Sequence, residues 1–146
     1  MSNRDSTTEA TRAVVQRFYD CILAADFEGV LSFHEDIEIH EPECLPYGGI
    51  YKGKEGALKL FPEATKFLDV KAFKVEAIIA DGNRAVGMLA AAVVGSGQSV
   101  KVAEESIIRD GKIYRVNVFQ FDPTLVSNAA KNKTVSRKAD PNQETE

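Results

Sequence analysis

Two glutamates, Glu41 and Glu105, stand within apolar strand patterns, a setting that suits a carboxyl group to general acid/base chemistry. In Ile37-Glu-Ile-His-Glu41 the apolar residues recur at every second position. An extended chain there carries Ile37, Ile39 and Glu41 on one face and Glu38 and His40 on the other. A carboxylate turned toward apolar neighbours loses hydration, so its pKa rises and it can exchange a proton near neutrality. Two such carboxyls in one dry cavity form an acid/base pair. His40 is a secondary candidate, because a neutral imidazole is a good proton acceptor; its strand parity opposes Glu41 unless Pro42 twists the strand end.

The position of Glu105 follows from a hairpin. Asp110-Gly111 lies between two β-rich runs, and both central positions of the favoured two-residue turn need positive φ. With Arg109 opposite Lys112, regular pairing sets Ile107 against Tyr114 and Glu105 against Val116. One face then carries Ala103, Glu105, Ile107, Tyr114, Val116, Val118 and Gln120. The other carries Val102, Glu104, Ser106, Ile108, Ile113, Arg115, Asn117, Phe119 and Phe121. The first face is the more apolar and is the expected pocket wall, with Glu105 and Gln120 as its polar groups.

The elements that must hold these residues follow from periodicity. Apolar spacings of three and four predict a helix over Thr8 to Ala24 and a short second one from Phe27 to Phe33. After the strand ending at Pro42, the Pro- and Gly-containing segment 43–49 reads as a loop. Residues 54–68 return to helical spacing, with Pro62 as a break or kink. From residue 71 the pattern is strand and turn, through Asp81-Gly82-Asn83, Gly95-Ser-Gly-Gln98 and Asp110-Gly111. Helices followed by a meander of strands define an α+β fold, a curved antiparallel or mixed sheet packed with three helices around a central pocket. Residues 1–8 are expected to be a flexible start, 9–125 the domain, and 126–146 a polar, disordered tail.

Composition narrows the function classes. At 146 residues, 44% hydrophobic and 27% charged, the chain has an ordinary composition for one globular domain. Its net charge of −4, without a basic cluster, opposes nucleic-acid binding. No apolar run approaches the roughly 20 residues of a membrane helix, and the polar start lacks a secretory core, so a cytoplasmic location is expected. Cys21 and Cys44 read as free thiols. His34 and His40 would need a bend to converge on a metal with Glu41 or Glu38, and the glycines at 48, 49 and 53 do not form a phosphate loop; neither a metal nor another cofactor is expected.

Several local motifs, in order, give a family resemblance. Gln16-Arg17-Phe18 leading to Asp26-Phe27-Glu28-Gly29, the run Asp36 to Pro42, Tyr51-Lys-Gly-Lys-Glu-Gly56, and Asp110-Gly-Lys-Ile113 followed by Phe121-Asp122 resemble the SnoaL-like branch of the nuclear transport factor 2-like superfamily. That superfamily's fold is shared by polyketide cyclases, ketosteroid isomerase, scytalone dehydratase and limonene epoxide hydrolase. The resemblance implies a cone-shaped fold and a homodimer. Glu41 before Pro42 then falls where the isomerases keep a general base, and Glu105 near their oxyanion donor. Phe18 occupies the isomerase tyrosine position, with Tyr19 beside it, and the alanines of Leu89 to Ala92 together with Val118 replace the hydrolase's arginine and aspartates. The implied pocket is lined by Phe18, Ile22, Ala90, Ala92, Val116 and Val118, with Glu41, Glu105 and Gln120 as polar groups and Tyr47 capping the entrance. The expected function is that of a cofactor-independent cyclase, isomerase or dehydratase acting on a small hydrophobic or polycyclic carbonyl compound, without the epoxide hydrolase mechanism. The alternative is a non-catalytic protein of the same fold that binds a hydrophobic ligand or serves as a dimeric interaction module.

Overall fold

The computed structural model describes residues 2–138. Helix α1 spans Asn3–Leu23 and starts earlier than its apolar period suggests, because Ser2 and Asp5 form a reciprocal capping box in place of the expected flexible start. A 3₁₀ segment, Phe27–Ser32, leads into strand β1, Phe33–Glu41. Strand β2, Gly49–Lys52, forms between the expected loop 43–49 and the next helix, where Ile50 and Tyr51 pair with His40 and Ile39. Helix α2, Gly53–Ala64, contains Pro62 and ends two residues after it. Strands β3, Leu68–Asp81, β4, Arg84–Val93, β5, Gln98–Arg109, and β6, Lys112–Gln120, complete the meander. Helix α3 runs over Thr124–Lys138, so the polar segment expected to be disordered is helical that far; the remainder of the expected tail, 139–146, lies outside the described residues.

The six strands form one open, mixed sheet in the order β2-β1-β6-β5-β4-β3, with β1 and β6 parallel and the other neighbours antiparallel. At the hairpin between β5 and β6, Asp110 and Gly111 have φ of 54° and 73°, the conformation the turn demands. Helix α1 lies across β3 and β4 and buries Thr11, Val15, Phe18 and Tyr19. Its first turns are tied to the β3–β4 turn. Arg4 donates twice to Asp81, Gly82 N–H donates to Thr8 Oγ1 at 2.8 Å, and Thr11 donates to the Gly82 carbonyl at 2.7 Å. Helix α2 covers β1 and β2, burying Ala57 and Leu60. The core between the helices and the concave face of the sheet includes Phe33, Ile37, Leu89, Val100 and Ile113, each nearly inaccessible. Cys21 and Cys44 are free thiols. No helix among the described residues is long and apolar enough to cross a membrane.

Candidate active site

Strand β1 turns Ile37, Ile39 and Glu41 toward the core, as its alternation requires. Ile39 pairs with Val116 of β6 and His40 with Asn117, so Glu41 comes level with Val118. Val118 pairs with Glu104 of β5, and Glu104 pairs with Gly87 of β4. Glu41, Val118, Glu104 and Gly87 thus form one row across four strands on the concave face. Glu41 and Glu104 are separated by two strand spacings, about 10 Å between Cα atoms.

Glu105 is not in this row. Ile108 pairs with Ile113 but Ile107 pairs with Arg115, so Tyr114 is an extra residue in β6. Such a bulge reverses the parity of one strand relative to its partner. Beyond it, Val102, Glu104 and Ser106 share the concave face with Val116, Val118 and Gln120, while Ala103, Glu105 and Ile107 share the outer face with Arg115, Asn117 and Phe119. On that outer face Glu105 accepts from Arg84 and from the Asn117 amide, each at 2.9 Å. The extra residue is held by aromatic and cationic contacts: the guanidinium groups of Arg109 and Arg115 stand 3.8 and 4.0 Å from the Tyr114 ring centroid, with the His34 ring edge-on at 5.3 Å.

The concave face encloses a cavity of about 150 Å³ whose wall is mainly apolar, contributed by Phe18, Ile22, Phe33, Ile39, Leu60, Phe73, Val116 and Val118 among others. Its exposed lining residues, Ala25 and Asp26 after α1 and Thr65 after α2, mark the mouth. Among the polar groups inside, Glu41 Oε2 is sealed from solvent without a hydrogen-bond partner. Burial pushes the Glu41 carboxyl up to about 8, with a further contribution from the charge on Glu104. Burial also raises Glu104, to about 7, and is partly opposed by the Tyr19 hydroxyl, which donates to Glu104 Oε1 at 3.3 Å. The Tyr19 hydroxyl thus gives the Glu104 carboxyl a hydrogen-bond donor, which favours its anion, whereas Glu41 Oε2 has none.

The other expected site residues divide between two faces. Phe18, Ile22, Val116, Val118 and Gln120 line the cavity. Ala90 and Ala92 point outward, since Leu89, Ala91 and Val93 are the buried members of β4. His40 also lies on the outer face, 3.1 Å from Glu38, which in turn meets Arg115 at 3.4 Å. Tyr47 lines the cavity too, from within and not as a cap at the entrance: it is buried, its hydroxyl accepts from Gln120 Nε2 at 3.0 Å, and its carbonyl accepts from Tyr51 at 2.8 Å.

Glu104 and Tyr19 were not among the expected site residues, although each leaves a trace in the sequence. Thr11, Val15 and Tyr19 recur at intervals of four, a buried helical stripe in which Tyr19 is the polar-tipped end. Glu104 alternates with Val100, Val102, Ser106 and Ile108, the buried positions of β5. Gly87, within an otherwise well-formed strand, signals a close approach.

The fold and cavity define a cone-shaped α+β domain of the nuclear transport factor 2-like type, with an enclosed pair of carboxyls. The chain belongs to the SnoaL-like domain family, whose model matches residues 15–116. Solved structures share the fold at low identity. An NTF2-like protein from Burkholderia xenovorans LB400 is 20% identical, covering 84% of this chain and 96% of its own, with a TM-score of 0.68. A candidate ketosteroid isomerase from Kribbella flavida is 20% identical over 83% of each chain, also with a TM-score of 0.68. TerC, co-crystallised with polyporic acid, is 22% identical over 82% of this chain and 96% of its own, with a TM-score of 0.70. No protein of curated function matches the chain significantly in sequence.

Proposed function

We propose that the chain is a cofactor-independent acid/base enzyme, an isomerase, cyclase or dehydratase acting on a small hydrophobic carbonyl compound. The observation that carries this reading is the row Glu41–Val118–Glu104, in which two carboxyls with raised pKa values face one apolar cavity from strands either side of Val118. Near neutral pH the pair holds one proton. The Tyr19 hydrogen bond supports placing the charge on Glu104, and in this reading the proton resides on Glu41. Glu104 then removes a proton from the carbon beside the carbonyl. Glu41 donates to the carbonyl oxygen as negative charge develops there; in the second half Glu104 delivers the abstracted proton to a carbon of the enol and Glu41 takes its own back from the oxygen. The apolar wall keeps water from competing for either step.

The cavity volume bears on the substrate. About 150 Å³ is the scale that takes one six-membered ring. The reacting part is thus a single ring or its aliphatic equivalent, and any larger portion extends through the mouth between Ala25, Asp26 and Thr65. That TerC was co-crystallised with polyporic acid supports reading the cavity as a small-molecule site.

The test is isomerisation of a β,γ-unsaturated cyclohexenone to its conjugated isomer, followed by ultraviolet absorbance. Wild-type protein is expected to accelerate it, and Glu41→Gln and Glu104→Gln are each expected to lose about 10²–10⁴-fold. Binding of the ketone without acceleration would instead identify a binding protein, and full activity in both variants would remove the two carboxyls from the chemistry.

A further inference from the structure

Two oxygens at the cavity lack a donor. Glu41 Oε2 and Gln120 Oε1 are both sealed from solvent and neither accepts a hydrogen bond. Buried acceptors are rarely left this way, because nothing replaces the water they give up. Their places in the sheet bring the two side chains into reach. Glu41 is level with Val118 on the adjacent strand, and Gln120 follows two residues later on the same face. That diagonal spans about 7–8 Å between Cα atoms, which two long side chains can bridge.

Tyr47 stands beside both. Its hydroxyl accepts from Gln120 Nε2, and the Glu41 charge acts on its phenol. The Tyr47 ring is itself fixed, stacked on Phe67 with centroids 6.1 Å apart. Gln120 is therefore anchored by its nitrogen, which leaves its oxygen as the free end.

We propose that a single proton joins the two oxygens: Glu41 Oε2–H donates to Gln120 Oε1, making Gln120 the positioning residue that holds Glu41 in its neutral, proton-donating form. One hydrogen bond then satisfies both unpartnered atoms, and mutual contact explains why water reaches neither. Among the groups facing Glu41, the charge of Glu104 from β5 acts in the same sense, while Tyr47 from the loop and Tyr51 from β2 are phenols that the Glu41 charge in turn keeps protonated; Asp26 lies at the mouth, and Tyr19 from α1 engages Glu104. Helix α2 and strand β3 contribute Leu60, Phe61, Ala64, Leu68, Val70 and Phe73, none of them ionisable. No Lys, Arg or His lines the cavity among the described residues. The role of Gln120 in turnover rests on the acid/base reading above, whereas the hydrogen bond itself does not.

The experiment reads the proton directly, by infrared difference spectroscopy and carboxyl ¹³C NMR titration of the full chain. At neutral pH the wild type is expected to show a protonated carboxyl whose C=O stretch is lowered by hydrogen bonding, and Glu41→Gln removes that signal. In Gln120→Met the stretch rises and the Glu41 midpoint falls by about one pH unit, a tenfold weaker hold on the proton. An unchanged midpoint overturns the proposal. A raised midpoint overturns it as well, because it means that the amide is turned and donates to an ionised Glu41. Should Gln120→Met fail to fold, the wild type decides: a protonated, hydrogen-bonded Glu41 supports the bond and an ionised Glu41 at neutral pH refutes it. Loss of the cyclohexenone reaction with this proton in place sinks the enzymatic reading alone.

Discussion

The Tyr19 hydroxyl occupies the space that a side chain at Gly87 would need: a Cβ built there overlaps the hydroxyl and comes within 2.7 Å of the ring carbon that bears it. Gly87 is also the strand partner of Glu104, the group to which Tyr19 donates. The missing side chain on β4 is what lets a residue of α1 reach a carboxyl on β5.

Gly87→Ala should therefore act on the site through Tyr19. The methyl group displaces the phenol from Glu104 and overpacks the α1–sheet contact, a destabilisation of about 1–3 kcal/mol. Denaturant unfolding measures the stability loss. In Gly87→Ala combined with Tyr19→Phe, the loss of the Tyr19–Glu104 hydrogen bond should appear once, not twice, in turnover.

The pH dependence of turnover should be a narrow bell with apparent limbs near 7 and 8, from a pair that works with one proton. Tyr19 stabilises the Glu104 anion, so Tyr19→Phe raises the Glu104 pKa and moves the acid limb up by about one pH unit. An acid limb unmoved in that variant would dissociate Tyr19 from the chemistry.

Stability should depend on pH in the opposite sense to that of a salt-bridged carboxylate. Both glutamates have folded pKa values above their unfolded ones, so between about 4.5 and 8 the folded state binds more protons. Their contribution is fully present below that window and is lost as pH rises through it. The expected loss is of order a few kcal/mol. Thermal melts of wild type should fall from pH 5 to pH 9. Glu41→Gln, which carries no charge to bury, should flatten the curve and be the more stable protein at the alkaline end.

Glu105→Gln should leave turnover unchanged. Its partners Arg84 and Asn117 lie on the outer face, and a pair this exposed contributes about 0–1 kcal/mol. A large activity loss would contradict the register that places Glu104 inward.

We expect a homodimer formed through the outer face. Met88, Ala103 and Phe119 are successive pairing partners across β4, β5 and β6, and Phe119 is 59% exposed. A row of apolar side chains on an open sheet is a liability unless covered. Sedimentation should give a dimer for wild type and a monomer for Phe119→Glu; a monomeric wild type would remove the case.

Much of this organisation was legible in the residues. The spacing of Ala10, Val14, Phe18, Cys21 and Ile22 marks a helix, the alternation of Ile37 and Ile39 sends Glu41 inward, and Asp110-Gly111 sets a turn whose φ angles are as required. These are local properties, fixed by backbone sterics and by which side chains avoid water. The inward carboxyl on β5 was not legible in the same way. Glu104 and Glu105 are adjacent and chemically alike, so parity alone separates them, and parity was reversed by one extra residue at Tyr114. That residue contacts Arg109, Arg115 and His34, which belong to three different strands. The polar helix Thr124–Lys138 likewise has a weak period of its own, and only packing such as that of buried Val126 reveals it.

The sequence by itself determined that helices precede a meander of strands in an α+β fold and that Glu41 shares the apolar face of its strand, because helix and strand periods depend on near neighbours only. The tertiary structure decided which partner Glu41 has. Glu104 enters the cavity through the bulge at Tyr114, and Tyr19 reaches Glu104 through the gap at Gly87. Both depend on residues far apart in the chain meeting in space.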